Sequence, residues 1–129
     1  MTATQILASL LNKLKNNFTT RHGEVCVTYP NYMTKVGRKA LSDACFIARI
    51  NNPFFISEAT ATVQHYAKNH IFDFLEMTEP RVVVFVDIGS SQANVVVAKY
   101  DKPDPNVREV IGTVLYKDSE ETIGGRYLD

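Results

Sequence analysis

An acidic residue and a glycine follow directly on an apolar run in the middle of the chain. The run is β-branched or aromatic at residues 82–86, and Asp87-Ile88-Gly89 continues it before a second strand-forming segment begins. A buried strand that ends in this way places a carboxylate beside a backbone that a phosphate can approach, because glycine has no Cβ. Mg²⁺ keeps several waters and takes one or two carboxylates, so Asp87 is predicted to hold hydrated magnesium and Gly89 to offer its amide to phosphate. The alternative is a plain hairpin turn, in which Asp and Gly are also common.

Two other positions suggest the same kind of chemistry. Glu58 stands at the start of a predicted helix that follows a strand, where its carboxylate would position a metal-bound water or interact favourably with the helix dipole. Gly124 and Gly125 precede a further predicted helix, where they would admit a phosphate or ribose or simply form the entry turn. The residues alone leave both interpretations open at each position.

Composition and charge exclude several classes of function. Lys plus Arg and Asp plus Glu number 14 each, so there is no net positive charge with which to hold nucleic acid. No apolar run approaches the roughly 20 residues that cross a bilayer, and the first residues lack the pattern of a signal peptide. These features predict no membrane contact and a cytoplasmic location. Cys26 and Cys45 lack metal-type spacing and are predicted to be buried free thiols, and no nucleophile or Walker-type motif is present.

The spacing of apolar residues predicts the elements of the first part of the chain. It indicates an amphipathic helix, a strand stopped by Pro30, a helix capped by Thr34, a short buried strand, and a helix from Ser57 to about Asn69. The second of these helices is predicted to bury one face, formed by Val36, Ala40, Leu41, Ala44, Ile47 and Ala48.

The second part of the chain is predicted to be rich in strands. Three consecutive strands are expected at residues 82–86, 93–100 and 107–116, with a tight turn after the first. The first of them is apolar at every position, which predicts a central strand covered on both faces. The change from helix-rich to strand-rich composition falls at about Glu79, and this is the predicted boundary.

Read in order, these segments resemble the nucleotide-binding domain of the seventy-kilodalton heat-shock chaperone superfamily over nearly the whole chain. Residues 27–32 are similar to the family's Val-Thr-Val-Pro-Ala-Tyr, and residues 57–61 to its Asn-Glu-Pro-Thr-Ala. Residues 84–89 look like its second phosphate loop, and residues 123–129 resemble Leu-Gly-Gly-x-x-Phe-Asp. The helix after Thr34 also carries matching residues, at Arg38, Ala40, Asp43, Ala44, Ile47 and Ala48.

The resemblance implies an α/β chain with part of the actin-like ATPase (ribonuclease H-like) fold. Residues 1–79 would be the end of lobe I and residues 80–129 the start of lobe II. ATP or ADP with Mg would be bound in the intact domain, and unfolded client proteins would be partners. The intact family hydrolyses ATP, whereas this segment alone is expected to be inactive.

The resemblance also assigns roles to individual residues. Glu58 and Asp87 would act in catalysis by organising magnesium through its waters. Pro30 and Arg38 match positions that relay the nucleotide state towards the substrate-binding domain. The nucleotide itself would be bound by Gly89, Ser90, Ser91, Gln92, Gly124 and Gly125.

The phosphate loop departs from the family pattern. The family's Asp-Leu-Gly-Gly-Gly-Thr is replaced here by residues 87–92, in which Ser90 and Ser91 add a Cβ where the backbone approaches phosphate, and Gln92 lacks the threonine hydroxyl. Ala59 and Lys35 also replace a proline and an acidic residue. These changes resemble the larger hundred-and-ten-kilodalton branch, whose members act mainly as exchange factors and holdases for a partner chaperone. Impaired hydrolysis is therefore expected.

Two other functions are compatible with the sequence. An actin-like or sugar-kinase-like ATPase segment would share the fold and the Asp-x-Gly loop. A nucleotide-free interaction module would have lost its site through Ser90, Ser91 and Gln92. With any of these functions, the open strand edges between residues 82 and 116 predict that the chain self-associates.

Overall fold

The computed structural model describes residues 1–18, 24–102, 109–120 and 123–125, except the side chains of Phe18 and Leu75. The predicted motif residues 126–129 lie outside this part of the chain. Within it, the predicted order of elements is confirmed, and a short helix at Ile71–Leu75 is added. The elements are α1 (Ala3–Phe18), β1 (Cys26–Tyr29), α2 (Lys35–Ile47), β2 (Phe54–Ser57), α3 (Glu58–Asn69), α4 (Ile71–Leu75), β3 (Arg81–Ile88), β4 (Ala93–Asp101) and β5 (Ile111–Glu120).

The first of two compact units comprises residues 1–29 and 33–56. In it α1 packs against α2, and β1 and β2 form a two-stranded sheet in which the Phe54 N–H donates to the Val25 oxygen at 2.9 Å. Thr34 caps α2 as predicted, because its hydroxyl accepts from the Gly37 N–H at 3.2 Å. The core is small and consists of Cys45, Ala48 and Ile50, with Leu11, Val25 and Val27 against them.

Three predictions about burial in this unit are wrong. Strand β2 was predicted to be buried, but Phe54 and Phe55 are 60% and 40% exposed, because the described residues cover only part of the small sheet. Val36 and Ile47 of α2 are 80% and 54% exposed, because the buried stripe of the helix runs through Leu41, Ala44, Cys45 and Ala48 instead. Cys26 is exposed, whereas Cys45 is buried as predicted. Successive side chains along an extended segment point to opposite sides, and Val25 and Val27, the neighbours of Cys26, pack against the core, so Cys26 points away from it.

The second unit comprises residues 30–32 and 57–129 and contains a three-stranded antiparallel sheet in the order β3-β4-β5. Helix α3 packs on β4 and β5, and the buried Tyr100 hydroxyl donates to the Val63 oxygen at 3.0 Å. A Cβ on Gly112 would lie 2.6 Å from Val63 Cγ1, so glycine there permits the close packing of helix on sheet. The core is built by α3, α4 and one face of the sheet, through Ala59, Val63, Ala67, Phe74, Val96, Ala98 and Tyr100.

Strand β3, whose apolar sequence predicts a central strand, has a neighbouring strand on one side only within the described residues. It lies at one edge of the described sheet, and only Val83 and Phe85 turn towards the core. Val82, Val84 and Val86 lie on the opposite face and are 59%, 57% and 63% exposed. The apolar run in the sequence shows that both faces of the strand are apolar. It does not show which elements of the fold cover each face.

The compact units divide the chain at a different place from the predicted lobes, since α3 packs with the strands that follow residue 80. The lobes are units of an intact domain, so the boundary at Glu79 stays a prediction. None of the helices in the described ranges is long and apolar enough to span a bilayer.

Candidate functional site

The turn between β3 and β4 has the residues predicted for a phosphate loop. It begins after Ile88, and the Gly89 N–H donates to the Gln92 oxygen at 2.9 Å, which closes the hairpin. Ser90 and Ser91 are exposed at its tip. The Gly89 amide, which the sequence predicted to face phosphate, is therefore engaged with Gln92 in this arrangement.

Gly124 and Gly125 lie directly against this turn. The Gly125 N–H donates to the Gly89 oxygen at 2.8 Å. A Cβ on Gly124 would lie 2.6 Å from the Gln92 nitrogen and 2.7 Å from the Ser90 oxygen, which are backbone atoms that cannot move aside separately. The structure thus brings together two segments, more than thirty residues apart, that the sequence predicted to bind the same nucleotide.

Asp87 is exposed and is the outermost member of a polar network that crosses the sheet. Asn94 lies opposite Asp87 in the strand register, and its Nδ2 donates to Asp87 Oδ2 at 3.4 Å. Ser119 lies opposite Asn94 on β5, and its hydroxyl donates to Asn94 Oδ1 at 2.7 Å. Asn94 is buried, and these two hydrogen bonds fix the direction in which its amide faces Asp87.

Sequence reasoning missed Asn94, although the sequence contained a signal for it. Along β4 the buried positions alternate as Asn94, Val96, Ala98 and Tyr100, so a polar residue begins an otherwise apolar stripe. A buried polar side chain is expected to have a hydrogen-bond partner. The adjacent Asp87, directly across the turn, was the candidate for that partner.

Glu58 is the first residue of α3 and is partly buried. Two side chains satisfy amide groups beside it. The Ser57 hydroxyl accepts from the Thr60 N–H at 3.2 Å, as predicted, and Asn31 Oδ1 accepts from the Ala59 N–H at 3.1 Å, which was not predicted. Within the described part of the chain, no hydrogen bond or ion pair joins Glu58 to Asp87. Their shared role in holding a hydrated ion stays a prediction.

Pro30 and Arg38, the residues predicted to relay the nucleotide state, occupy separate positions. Pro30 follows the end of β1, as its missing N–H predicts. The Arg38 guanidinium donates to the Met33 oxygen at 3.1 Å and lies 5.5 Å from the centre of the Tyr29 ring. These contacts stabilise the side chain of Arg38, and the relay role itself stays a prediction.

Ionisable groups of the sheet have pKa values that reflect their surroundings. Burial, together with a smaller effect of nearby Tyr66, raises the pKa of Tyr100 to about 12. The Tyr116 hydroxyl donates to Asp118 Oδ2 at 3.1 Å, which raises the Tyr116 pKa because the neutral phenol makes the hydrogen bond. The hydrogen bond from Lys99 lowers the pKa of Asp101.

The arrangement around Asp87 fits a hydrated magnesium ion. The carboxylate is exposed, and Asn94 is its hydrogen-bond donor among the described residues. Mg²⁺ keeps much of its water shell and needs only one or two carboxylates, so a single oriented carboxylate at the surface is an adequate ligand. No group of three His, Cys, Asp or Glu side chains in the described ranges forms a dehydrated metal site.

Known proteins similar to this chain are heat-shock proteins. The family model described as Hsp70 protein matches residues 1–129. A heat shock protein homolog of Candida glabrata is 32% identical over 134 residues, which cover 98% of this chain and 18% of that protein. The "Heat shock 70 kDa protein 15" of Arabidopsis thaliana is 29% identical over 133 residues, which cover 99% of this chain and 15% of that protein.

A third relative is the "Heat shock protein 88" of Dictyostelium discoideum, which is 32% identical over 106 residues. The matched segment covers 82% of this chain and 12% of that protein. The chain therefore spans less than a fifth of the length of each of these three relatives.

Proposed function

Because the chain belongs to the Hsp70 protein family, we propose that it forms part of the nucleotide-binding domain of a molecular chaperone. The observation that supports this best is the 2.8 Å hydrogen bond from the Gly125 N–H to the Gly89 oxygen. It joins the two glycine-containing segments that a single nucleotide would contact. The mixture of helices and sheet is consistent with an actin-like ATPase fold, in which residues 1–79 would complete lobe I and residues 80–129 would begin lobe II.

The proposed site binds ATP or ADP together with Mg²⁺, which when bound would offset the negative charge of the phosphates. Asp87 would hold the water shell of the ion, and Asn94 would keep the carboxylate in position through its 3.4 Å hydrogen bond. Glu58 would orient a further water from the start of α3. The backbone of the turn and of Gly124-Gly125 would lie along the phosphates.

We propose that this site binds nucleotide but hydrolyses it poorly. Ser90 and Ser91 carry side chains at the exposed tip of the turn, where glycine would leave the backbone open to phosphate. Gln92 has no hydroxyl, and its backbone oxygen is already engaged by Gly89. Binding without turnover suits an exchange factor or holdase that acts in the cytoplasm on unfolded client proteins and on a partner chaperone of the same family.

The test is made on the full-length protein that carries this chain. Calorimetry measures Mg-ATP affinity, and a single-turnover assay measures hydrolysis, for the wild type, Asp87→Asn and Asp43→Asn. Asp43 is an exposed carboxylate on α2 that pairs with Lys39, so it controls for the loss of a surface charge. We expect Mg-ATP binding with negligible turnover, and a loss of affinity of about tenfold in Asp87→Asn alone, because one charged metal contact is removed. Equal affinity in the three proteins would contradict the role of Asp87.

A nucleotide-free interaction module is the second candidate, and one observation favours it. The Gly89 amide, which was predicted to face phosphate, donates instead to the Gln92 oxygen at 2.9 Å. If the full-length protein has no affinity for Mg-ATP or Mg-ADP, this function replaces the first. Rapid hydrolysis would contradict the proposed loss of turnover and the nucleotide-free module.

A further inference from the structure

A serine on the third strand of the sheet makes a contact that neither the predicted motifs nor the proposed function uses. Ser119 is a partly buried residue of β5, and its hydroxyl donates to Asn94 Oδ1 at 2.7 Å. Asp87, Asn94 and Ser119 are cross-strand partners, so their side chains form a row on one face of the sheet. The row begins at the carboxylate of the proposed magnesium site and ends at Ser119.

The hydrogen bonds of this row have one consistent direction. An ionised carboxylate only accepts hydrogen bonds, so the Asn94 amide turns its Nδ2 towards Asp87. Its Oδ1 is then on the side of β5, where the Ser119 hydroxyl donates to it. The reverse orientation of the amide would place Oδ1 beside the carboxylate, and two acceptors repel each other. The two hydrogen bonds therefore polarise the amide in the same sense and strengthen each other.

Loss of the Ser119 hydroxyl would leave the Asn94 carbonyl oxygen without this partner. Asn94 is only 6% exposed, and a buried acceptor that lacks a hydrogen bond is costly. The terminal torsion of asparagine is broad, so the amide can rotate towards another donor. Rotation would move Nδ2 away from Asp87, and their contact of 3.4 Å is already long for a hydrogen bond. The longer contact of the row thus depends on the shorter one.

We propose that Ser119 is a positioning residue of the magnesium site and acts on Asp87 through Asn94. The inference rests on the proposed function, because it assigns Ser119 to the same site. Asn94 contacts one carboxylate oxygen, Oδ2, so the other can accept hydrogen bonds from the water shell of the ion. In this role Ser119 contacts neither the ion nor the nucleotide, and it fixes the direction of the carboxylate from the far side of β4.

A positioning role and a purely structural role have different consequences. Asn94 lies on the middle strand of the sheet, between its partners on β3 and β5, so the row depends on contacts inside the sheet. Removal of an oriented hydrogen-bond partner of a metal-binding group weakens the binding of the metal. A hydroxyl that served only the folding of the sheet would not change how strongly nucleotide binding depends on Mg²⁺.

The magnesium dependence of nucleotide binding by the full-length protein is the first test. Calorimetry measures the affinity for ADP, which is not hydrolysed, with Mg²⁺ and again with EDTA. Ser119→Ala is expected to weaken Mg-ADP binding by about threefold, less than the usual effect of a direct partner because Ser119 is one contact further away. Its affinity for ADP in EDTA should equal that of the wild type. Thr113→Ala removes an exposed hydroxyl from the same strand, opposite Lys99, and should match the wild type in both conditions.

A matched pair of variants separates the hydroxyl from the shape of the side chain. Ser119→Thr keeps the hydroxyl and is expected to retain the Mg-ADP affinity of the wild type. Ser119→Val has the shape of threonine without the hydroxyl, and it is expected to bind as weakly as Ser119→Ala. Both replacements are β-branched and favour a strand, so the sheet is expected to fold in each variant.

A double-mutant cycle tests whether Ser119 acts through Asp87. In the Asp87→Asn background, Ser119→Ala is expected to have no further effect on Mg-ADP affinity, because the carboxylate that the serine positions is absent. Two outcomes would overturn this inference alone. One is equal Mg-ADP affinity in the wild type, Ser119→Ala and Ser119→Val. The other is a loss of affinity that persists in EDTA or in the Asp87→Asn background. Absence of nucleotide binding in the wild type would overturn the proposed function and this inference together.

Discussion

Gly124 is a residue that close packing against the β3–β4 turn requires to be glycine. Its neighbours are backbone atoms of the β3–β4 turn, and a Cβ would lie 2.6 Å from one of them and 2.7 Å from two others. Gly125, the next residue, has its nearest neighbours at 3.7 and 3.9 Å, which is ordinary contact. The two glycines look equivalent in the sequence, but only the first is required by packing.

We predict that Gly124→Ala destabilises the second unit by about 1–3 kcal/mol, because overpacking against backbone forces the turn to move. Gly125→Ala is the matched control and is expected to change the free energy of unfolding by less than about 0.5 kcal/mol. Urea denaturation of the two variants measures both values. Similar values for the two variants would show that the 123–125 segment does not pack on the turn.

The polar network at Asp87 also belongs to the residue scale. Asp87 was predicted from its motif, since a carboxylate after a buried strand is a local feature. Asn94 and Ser119 were not predicted, because their partnership depends on a register that spans three strands. Spacing along the chain does not give the residues that lie across a sheet.

Helix α3 shows how an element can be positioned by a distant segment. Its first turn has amide groups without partners within the helix. Ser57 satisfies one of them locally, and Asn31, from a segment 28 residues away, satisfies another. Glu58 lies between these two contacts, so both of them orient the residue that is proposed to position a water.

We predict that Asn31→Ala and Ser57→Ala each destabilise α3 by about 1 kcal/mol, the usual cost of a lost N-cap. Hydrogen exchange of the α3 amides should accelerate in both variants. Thr34→Ala removes the equivalent cap of α2 and serves as the control, with faster exchange expected in α2 instead. An unchanged α3 in Asn31→Ala would mean that water replaces the lost acceptor.

Strand β3 illustrates the limit of pattern recognition at this scale. Its apolar run was correctly recognised as a strand, because β-branched and aromatic residues favour that conformation. One face and one edge of β3 are uncovered in the described sheet, so its central position in an intact domain stays a prediction. The composition of a strand indicates how much apolar surface must be buried. It does not identify the elements that pack against that surface.

At the scale of the whole molecule, the residues that the structure describes form two cores. One is small and centred on Cys45, Ala48 and Ile50, and the other joins α3 and α4 to the sheet around Val63 and Tyr100. Regions of a protein that have separate cores can unfold as separate cooperative units.

We predict that Val63→Ala, which leaves a cavity beside Tyr100, accelerates hydrogen exchange in β4 and lowers stability by about 2 kcal/mol. Exchange in α2 should stay unchanged. Ile50→Ala is expected to have the reverse pattern, with faster exchange in α2 and unchanged β4. If either variant accelerates exchange throughout the chain, the two units unfold as one cooperative body.

The sequence by itself determined the types and order of the long elements, the caps at Thr34 and Ser57, and the family. Each of these depends on interactions within a few residues, or on motifs that are contiguous in the chain. Only the tertiary structure decided that Gly124 packs on the turn, and that Asn31 and Asn94 form hydrogen bonds with Ala59 and Ser119. These features join residues far apart in the chain, and their energies depend on packing and register that local spacing does not contain.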